Sequence, residues 1–371
     1  MSDSDPRKHN IQSAEMVLPA RDLRAEMPFF LDELGFRLDT IYPADDPSVA
    51  VISGYGLQIR LDRYADLSPG CIALSTTTPN DGAPRISPNG NRVMFHDAHP
   101  RLQIPETQHS FMVKRLEDSD AWVIGRAGMH YRDLITDRLG GSIIASHIRI
   151  PDGGPVPDMV HYHIVGFQLI FCYRGWVRLV YEDQGDPFVL KGGDCVIQPP
   201  QIRHRVLEAS DNVEVLEIGV PAEHITTIDH EMTLPNGKGD PSRTWNGTRF
   251  VHHKEAEAVW RPWRIPGWRS RDTLIGSGTA GVAGVHVARP DVAGTASPWS
   301  SHDTDIHFTF VKEGSLTLEA DSSGRNRYNL VAGDAFVLPP FLKTRYIAPS
   351  KDCELIEATL PAEFNTQIDI D

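Results

Sequence analysis

Four side chains suited to holding a metal ion lie at close spacing in the middle of the chain. His161 and His163 are two positions apart, Gln168 follows five residues later, and His204 stands in a separate block. In a β-strand, residues i and i+2 point to the same face, so the histidine pair aims at one point. Gln168 begins an apolar, aromatic-rich run that predicts the next strand, and its amide oxygen completes the set. The spacing predicts four metal ligands on strands of one barrel.

Turn residues frame these ligands. Gly175 ends the strand that begins at Gln168, and Gly193 and Pro199 precede His204. The two blocks together resemble the two sequence motifs of the cupin family, a metal-binding β-barrel family. The chain departs from the family pattern at four positions. Gly154 lies one residue earlier than usual, and Gln168, Gln201 and Glu208 stand where the family commonly has glutamate, glycine and asparagine, respectively. The alternative is a structural barrel whose histidines are hydrogen-bonded and hold no metal.

Length and composition limit the class of protein. A chain of 371 residues predicts two or three compact units. The formal charge of −14 and the pI near 5.6 argue against nucleic acid or an anionic membrane as partner and favour a small-molecule substrate. Four scattered cysteines without close pairs favour reduced thiols. With no apolar leader or membrane-length run, we expect a cytoplasmic protein.

A long internal repeat divides most of the chain. Residues 214–229 match residues 354–369 at a constant offset, and Gly175 matches Gly314. Arg132-Asp133 recurs as Arg271-Asp272, which predicts a fold-stabilising ion pair. The repeat predicts two copies of one barrel, residues 111–232 and 250–371. Together with the cupin resemblance it implies a mainly β bicupin, built from two double-stranded β-helix (jelly-roll) barrels.

The second copy lacks most of the ligand set. The four aligned positions are occupied by Ser300, His302, His307 and Thr344. Two possible donors remain, fewer than a stable transition-metal site needs, so the second barrel is predicted to be degenerate and structural. The alternative is a weak site formed by His302, His307 and a carboxylate, Asp303 or Asp305.

The first part of the chain predicts a smaller, different unit. Residues 10–63 indicate a strand, a helix from Asp22 to Leu34, and three further strands. This βαβββ order resembles one α+β module of the vicinal-oxygen-chelate (glyoxalase-like) fold, in which Glu15 is the one candidate near a usual ligand position. Residues 64–110, with their Pro, Gly, Asn and Thr, predict an irregular connector. We expect an accessory or oligomerisation element, and hence a homodimer.

The donor set itself indicates the chemistry. Three imidazoles and a carboxamide are neutral, so the ion keeps its double positive charge and favours small oxygen-rich or anionic organic substrates. We expect one divalent transition metal in the first barrel, among Fe, Ni, Zn, Mn and Cu. The cupin resemblance implies a dioxygenase, our first hypothesis. The glutamine is similar to the ligand set of some non-redox cupins, so a Lewis-acid isomerase, lyase or cyclase stays open. A non-catalytic binding protein is the third possibility.

Strand alternation also predicts residues around the ion. Glu208 shares strand parity with His204 and is the predicted acid–base catalyst. The predicted substrate pocket contains four further side chains: Met159, Cys172, Gln198 and His130.

Overall fold

The computed structural model describes residues 11–78, 82–118, 122–240, 242–322 and 324–369. Several predictions extend beyond these ranges: the polar N-terminal stretch, residue 10 of the predicted module, residues 79–81 of the predicted connector and residues 370–371 of the second copy. The chain forms two compact units, residues 1–101 and 102–371. Among the described residues, no helix is both long and apolar enough to cross a membrane.

The first unit is a small α+β fold. Its described elements are β1 (Met16–Pro19), α1 (Leu23–Pro28), a π-helical turn (Phe29–Glu33), β2 (Arg37–Tyr42), β3 (Val49–Gly54), β4 (Leu57–Asp62), β5 (Cys71–Thr76), β6 (Arg85–Ile86) and β7 (Arg92–Asp97). One sheet has the strand order β1-β4-β3-β2, and the other has the order β5-β7-β6. The order of elements through β4 is the one that the sequence predicts. Residues 64–110 differ from the expected irregular connector, because they contribute β5 to β7.

A buried carboxylate explains why this segment is ordered. Glu26 on α1 is fully buried and accepts hydrogen bonds from Ser87 Oγ and from Asn91 Nδ2 at 2.8 Å. A buried charge without such partners would be costly, so the loop before β7 is held against the helix. Glu15, the candidate ligand of this unit, instead forms an ion pair with Arg60 at 2.7 Å.

The second unit contains both copies of the repeat. The described strands of the first copy and of the segment that follows it are β8 (Met112–Lys114), β9 (Val123–Ile124), β10 (His130–Asp133), β11 (Ile144–Ile150), β12 (Gly154–Pro155), β13 (His161–Ile164), β14 (Phe167–Arg174), β15 (Trp176–Tyr181), β16 (Phe188–Lys191), β17 (Cys195–Ile197), β18 (His204–Ala209), β19 (Val213–Val220), β20 (Ile225–Ile228), β21 (Thr244–Trp245), β22 (Thr248–Arg249) and β23 (Val251–His253). Short 3-10 turns lie at Arg126–Gly128, Arg138–Gly141 and Glu255–Glu257.

The second copy begins with β23 and repeats the same order of strands in the elements that follow it. Its remaining described elements are β24 (Trp260–Pro262), β25 (Trp268–Asp272), α2 (Ile275–Gly278), β26 (Gly284–Pro290), β27 (Ser300–His302), β28 (Ile306–Glu313), β29 (Ser315–Asp321), β30 (Arg325–Val331), β31 (Ala335–Val337), β32 (Thr344–Ile347), β33 (Glu354–Leu360) and β34 (Thr366–Ile368).

Each copy builds one larger and one smaller sheet in the same topology. In barrel 1 the orders are β23-β17-β14-β19-β11-β10-β9 and β16-β15-β18-β13-β20, with β12 beside β18. In barrel 2 they are β8-β31-β28-β33-β26-β25-β24 and β30-β29-β32-β27-β34. The pairings within the barrels are antiparallel, so the fold is mainly β and contains the two barrels that the repeat predicts. The first strand of each copy is exchanged: β8 pairs with β31 of barrel 2, and β23 pairs with β17 of barrel 1.

The turn glycines of the repeat are required by the backbone. Gly175 and Gly314 have φ values of 75° and 68°, a region that L side chains rarely adopt. A Cβ atom would also lie 2.4 Å from Ser210 Oγ in the first copy and 2.3 Å from Ser350 Oγ in the second. The same close turn therefore accounts for the recurrence of both glycines.

The larger sheets of the two barrels bury their apolar faces in one shared core. Leu169 and Phe171 of β14 belong to the same buried cluster as Phe308 and Phe310 of β28. Alternation along β14 turns Ile170, which lies between Leu169 and Phe171, into the interior of barrel 1. A strand buried on both faces explains why this run is apolar at nearly every position.

The predicted ion pair between Arg132 and Asp133 is wrong. Neighbouring residues of a strand point to opposite faces, and Asp133 pairs with Arg138 at 3.1 Å. Arg132 Nη2 donates to the Gly333 carbonyl of the other barrel at 2.6 Å. Arg271 returns the contact, because its Nη2 donates to the Gly193 carbonyl at 2.9 Å. The recurring arginines thus join the two barrels.

Candidate metal centre

Three histidines converge inside barrel 1. His161 and His163 lie on β13, and His161 is directly paired with His204 on β18. The ring centroid of His161 lies 4.3 Å from that of His204 and 5.1 Å from that of His163. One potential ligand atom from each ring lies within 4.8 Å of the other two. Adjacent antiparallel strands and an i, i+2 pair are sufficient to place them there.

Hydrogen bonds on the far side of each ring orient these histidines. His161 Nδ1 donates to the Met159 carbonyl at 2.7 Å, and His204 Nδ1 donates to the Ile202 carbonyl at 3.0 Å. His163 Nδ1 is hydrogen-bonded to Thr226 Oγ1 at 2.8 Å. A proton on Nδ1 leaves the lone pair on Nε2, the arrangement by which metal-bound histidines are usually fixed. All three rings can therefore offer Nε2 to one ion.

Burial keeps the three rings neutral. Loss of solvation lowers the pKa of His163 to about 2, with His161, His224 and Arg126 adding to the effect. Burial likewise lowers the pKa of His161 and holds that of His204 well below its usual value. Neutral imidazole is the form that binds a metal ion, so the electrostatics of the site suit ligation.

Gln168 supplies a further observation that fits a metal. Its Nε2 donates to Glu217 Oε1 at 2.6 Å, while its Oε1 is buried without a hydrogen-bond partner among the described residues. A buried oxygen left unpaired costs about 1–3 kcal/mol. Glu217, which lines the cavity of the histidines, fixes the amide so that this oxygen is the free atom. Gln168 itself is not among the residues that line that cavity, so its role as the fourth donor stays a prediction, and the three histidines are the donors that fit one divalent transition metal.

An arginine reaches the same site from outside the barrel strands. Arg126 forms an ion pair with the fully buried carboxylate of Asp158, and its Nη2 donates to His161 Nε2 at 3.0 Å. The Asp158 carboxylate also accepts from the Val206 amide at 2.9 Å. Because the arginine contacts the nitrogen that would bind a metal, that contact must give way when an ion binds.

The histidines line a partly open cavity of about 360 Å³. Its wall is mostly aliphatic and includes Ile144, Ile148, Ile150, Ile170, Val177, Leu179, Val206, Val213 and Val215. The polar lining residues include, besides the three histidines and Arg126, Glu217, His224, Gln198, Thr226 and Ser146. A cavity with an aliphatic wall and a set of convergent polar groups is typical of a ligand site.

The predicted catalyst Glu208 does not lie in this cavity. It forms an ion pair with Arg178 at 3.2 Å, and its side chain is 38% exposed. The register between β15 and β18 shifts between Arg178 and Leu179, because Leu179 is opposite Val206 while Arg178 is opposite Glu208. The extra residue, Leu207, is a β-bulge that reverses the alternation. Glu208 therefore faces outward although it shares sequence parity with His204.

The predicted pocket residues divide into two groups. Gln198 lines the cavity and donates to the Tyr181 hydroxyl at 2.9 Å. The other three do not line it among the described residues. Met159 is 52% exposed, and His130 lies on β10 beside the edge strand β9. Cys172 is buried near the turn at Gly175, with its thiol 3.6 Å from that carbonyl, and burial raises its pKa to about 12.

Sequence reasoning missed Glu217, Arg126 and His224 as residues of the cavity. Glu217 lies within the matched repeat, where Glu357 is its counterpart, and this recurrence was a usable signal. Arg126 lies outside both motifs on the segment before β10, and His224 lies in the turn before β20. Neither has a local pattern that predicts its position.

Barrel 2 has a different interior. Its cavity is about 10 Å³, about the least that holds one water molecule. The carboxylates of the alternative weak site are engaged elsewhere: Asp303 accepts from Asn365 at 2.7 Å, and Asp305 contacts Thr107 and His109, each at 2.7 Å. The alternative site with these aspartates is not formed.

The fold and the histidine centre together define a mainly β, two-barrel architecture with a candidate metal site in barrel 1. No family model matches the sequence, and no curated protein matches it. Solved structures do match. Salicylate 1,2-dioxygenase from Pseudaminobacter salicylatoxidans gives a TM-score of 0.53 at 14% identity, over 71% of this chain and 90% of that chain.

Two further matches are oxalate decarboxylases. That of Lactobacillus farciminis, in a formate complex, gives a TM-score of 0.53 at 12% identity, over 70% of this chain and 89% of that chain. That of Bacillus subtilis gives 0.52 at 12% identity, over 71% of this chain and 80% of that chain. At these identities the similarity concerns the fold.

Proposed function

We propose that the protein is a metal-dependent enzyme whose reaction takes place in barrel 1. The observation that carries the proposal is the convergence of three neutral histidines at the polar end of an apolar cavity of about 360 Å³. His161, His163 and His204 would hold the ion through Nε2, with Gln168 Oε1 as the fourth donor. A storage barrel would instead be filled by its own side chains, as barrel 2, with a cavity of about 10 Å³, nearly is.

The substrate we propose is a small organic anion with an apolar body. Neutral ligands leave the charge of a divalent ion uncompensated, and Arg126 adds a guanidinium at the same end of the cavity. Oppositely charged groups attract strongly where water is scarce. The aliphatic wall suits an aromatic or otherwise apolar carbon skeleton. A very small polar acid would leave most of that wall without a partner.

The reaction class we favour is dioxygenation. A redox-active ion held by these residues would supply the activation of dioxygen beside the bound organic anion. The chain's own residues bind and orient: Arg126 faces the anionic group, Glu217 holds the Gln168 amide, and the aliphatic wall excludes water. Salicylate 1,2-dioxygenase is a protein of similar fold whose substrate is an aromatic acid, which supports this class.

A second class is favoured by one observation. Glu217 is a carboxylate on the cavity wall, and a carboxylate beside a Lewis acid serves a lyase, isomerase or cyclase as a proton acceptor. Two proteins of similar fold are oxalate decarboxylases, whose reaction breaks a carbon–carbon bond. Binding without catalysis is the third outcome to test.

Oxygen uptake separates the three classes. The purified chain would be loaded with Fe(II) or with Zn(II) and screened against hydroxyaryl acids, diketones, phenolic ketones and keto-acids, with His163→Ala as the metal-site control. We expect dioxygen consumption with Fe(II) alone, and both atoms of labelled dioxygen in the product. Turnover without oxygen uptake, equal with Zn(II), would favour the lyase or isomerase class. Ligand binding without turnover under both metals would contradict an enzyme.

A further inference from the structure

Barrel 2 contains a buried carboxylate at the position of Glu217. Glu357 is 1% exposed and lies 2.9 Å from His307, a residue aligned with Gln168. The repeat therefore keeps the same contact in both barrels. Gln168 near the start of β14 contacts Glu217 on β19, and His307 near the start of β28 contacts Glu357 on β33. In barrel 2 both partners are classical metal-binding side chains, as is the adjacent His302.

A guanidinium occupies the centre of this group. Arg264 Nη1 donates to Glu357 Oε1 at 2.8 Å. Its Nη2 donates to Glu357 Oε2 and lies 3.1 Å from His307 Nε2. Two parallel bonds between arginine and a carboxylate are a strong, directional arrangement. The guanidinium also lies over the rings of Trp263 and Phe364, at 4.2 and 5.2 Å from their centroids.

The neighbouring histidine is unpaired. His302 stacks on His307 with ring centroids 4.4 Å apart, and both of its ring nitrogens are buried without a hydrogen-bond partner among the described residues. Among the described residues, this group is not gathered within 4.8 Å as the histidines of barrel 1 are. The donors are instead spread around the larger guanidinium. A buried, unpaired imidazole is the second sign of a cation site.

The different anchors of Arg126 and Arg264 explain why barrel 1 can bind a metal ion and barrel 2 cannot. Each arginine lies on the segment before the corresponding strand, β10 or β25. Arg126 is anchored by Asp158, outside the histidine triad, whereas Arg264 is anchored by Glu357, inside the ligand group. In barrel 1 the equivalent Glu217 is engaged with Gln168. A metal ion in barrel 1 can therefore displace Arg126 from the histidines, whereas a metal ion in barrel 2 cannot displace Arg264 from Glu357.

We propose that barrel 2 retains the ligands of a divalent-metal site, and that the Arg264 guanidinium takes the place of the metal ion there. The residues around it do not fit a metal while that guanidinium is present, because two cations would share one carboxylate. Removal of the guanidinium lets His302, His307 and Glu357 bind one divalent transition metal. The wild-type chain takes one metal ion, in barrel 1, and not two.

The test uses Co²⁺, because its absorption spectrum reports histidine ligation, in a background in which barrel 1 is disabled by His163→Ala and His204→Ala. We expect no tight binding in that background and one Co²⁺ per chain after Arg264→Ala, with affinity raised at least about a hundredfold, since a like charge is removed from a poorly solvated site. Arg264→Lys keeps the positive charge and should not bind. Adding Glu357→Gln to the Arg264→Ala variant should abolish the gain.

Four results would overturn the proposal. These are Co²⁺ in barrel 2 while Arg264 is present, no gain after Arg264→Ala, a gain that survives Glu357→Gln, and failure of Arg264→Ala to fold that added Co²⁺ does not reverse. Titration of the wild-type chain is an independent measurement. One Co²⁺ per chain at saturation supports the proposal, and two contradict it.

Discussion

Replacement of Thr226 by valine tests the proposed orientation of the histidines with little change in shape. Thr226 Oγ1 is the partner of His163 Nδ1 at 2.8 Å, and the two residues are directly paired between β20 and β13. Valine removes the hydroxyl and leaves Nδ1 of His163, a residue that is 9% exposed, without its partner. Loss of such an outer hydrogen bond weakens metal affinity about 10- to 100-fold. This corresponds to about 1.4–2.7 kcal/mol.

The repeat provides a matched control for this experiment. Thr366 is paired with His302 in barrel 2 as Thr226 is with His163 in barrel 1, and its hydroxyl is buried without a partner among the described residues. Zn²⁺ affinity would be measured by competition with a coloured chelator for the wild type, Thr226→Val and Thr366→Val. We expect weaker binding in Thr226→Val alone. Unchanged affinity in Thr226→Val, or an equal loss in both variants, would refute the assigned role of Nδ1.

Four further predictions concern the centre and its surroundings. His163→Ala should abolish most of the bound metal while His302→Ala leaves it unchanged, as elemental analysis would show; equal loss would contradict a single active barrel. Gln168→Glu should keep the metal and weaken anionic ligands, since it adds a negative charge beside the ion; tighter anion binding would contradict the electrostatic argument. Arg126→Met should weaken binding of a salicylate probe about tenfold or more, measured by calorimetry, without loss of metal. Because burial lowers the pKa of all three histidines below the ordinary 6.5, the unfolded chain takes up protons that the metal-free fold does not. Its unfolding free energy should thus fall between pH 7 and pH 5, by up to about 1.4 kcal/mol per pH unit for each histidine, and His204→Gln should show a shallower slope in denaturant titrations.

The parts of the site that follow from local alternation could be predicted from the sequence. His161 and His163 share a face because they are two residues apart in a regular strand, and the turn at Gly175 fixes where the next strand ends. The internal repeat predicted two barrels, since its offset is constant over long segments. These features depend on near neighbours in the chain and on a pattern that occurs twice.

The residues that were misplaced depend on information that is not local. Parity put Glu208 inside the barrel, but a bulge at Leu207 reverses its direction, and a single extra residue leaves no mark in the hydrophobic pattern. Arg126 reaches the site along an arm whose path is set by packing. The contact of Glu217 with Gln168 could be predicted only if the pairing of β19 with β14 were already known. Such contacts join residues far apart in sequence and become visible only in the folded chain.

The location of the metal ion is the most direct test of the account. Crystals of the wild-type chain loaded with a transition metal would be measured at the absorption edge of that metal. We expect one anomalous peak per chain, within bonding distance of Nε2 of His161, His163 and His204 and of Oε1 of Gln168. A peak in barrel 2, or an ion in barrel 1 that these side chains do not contact, would contradict it.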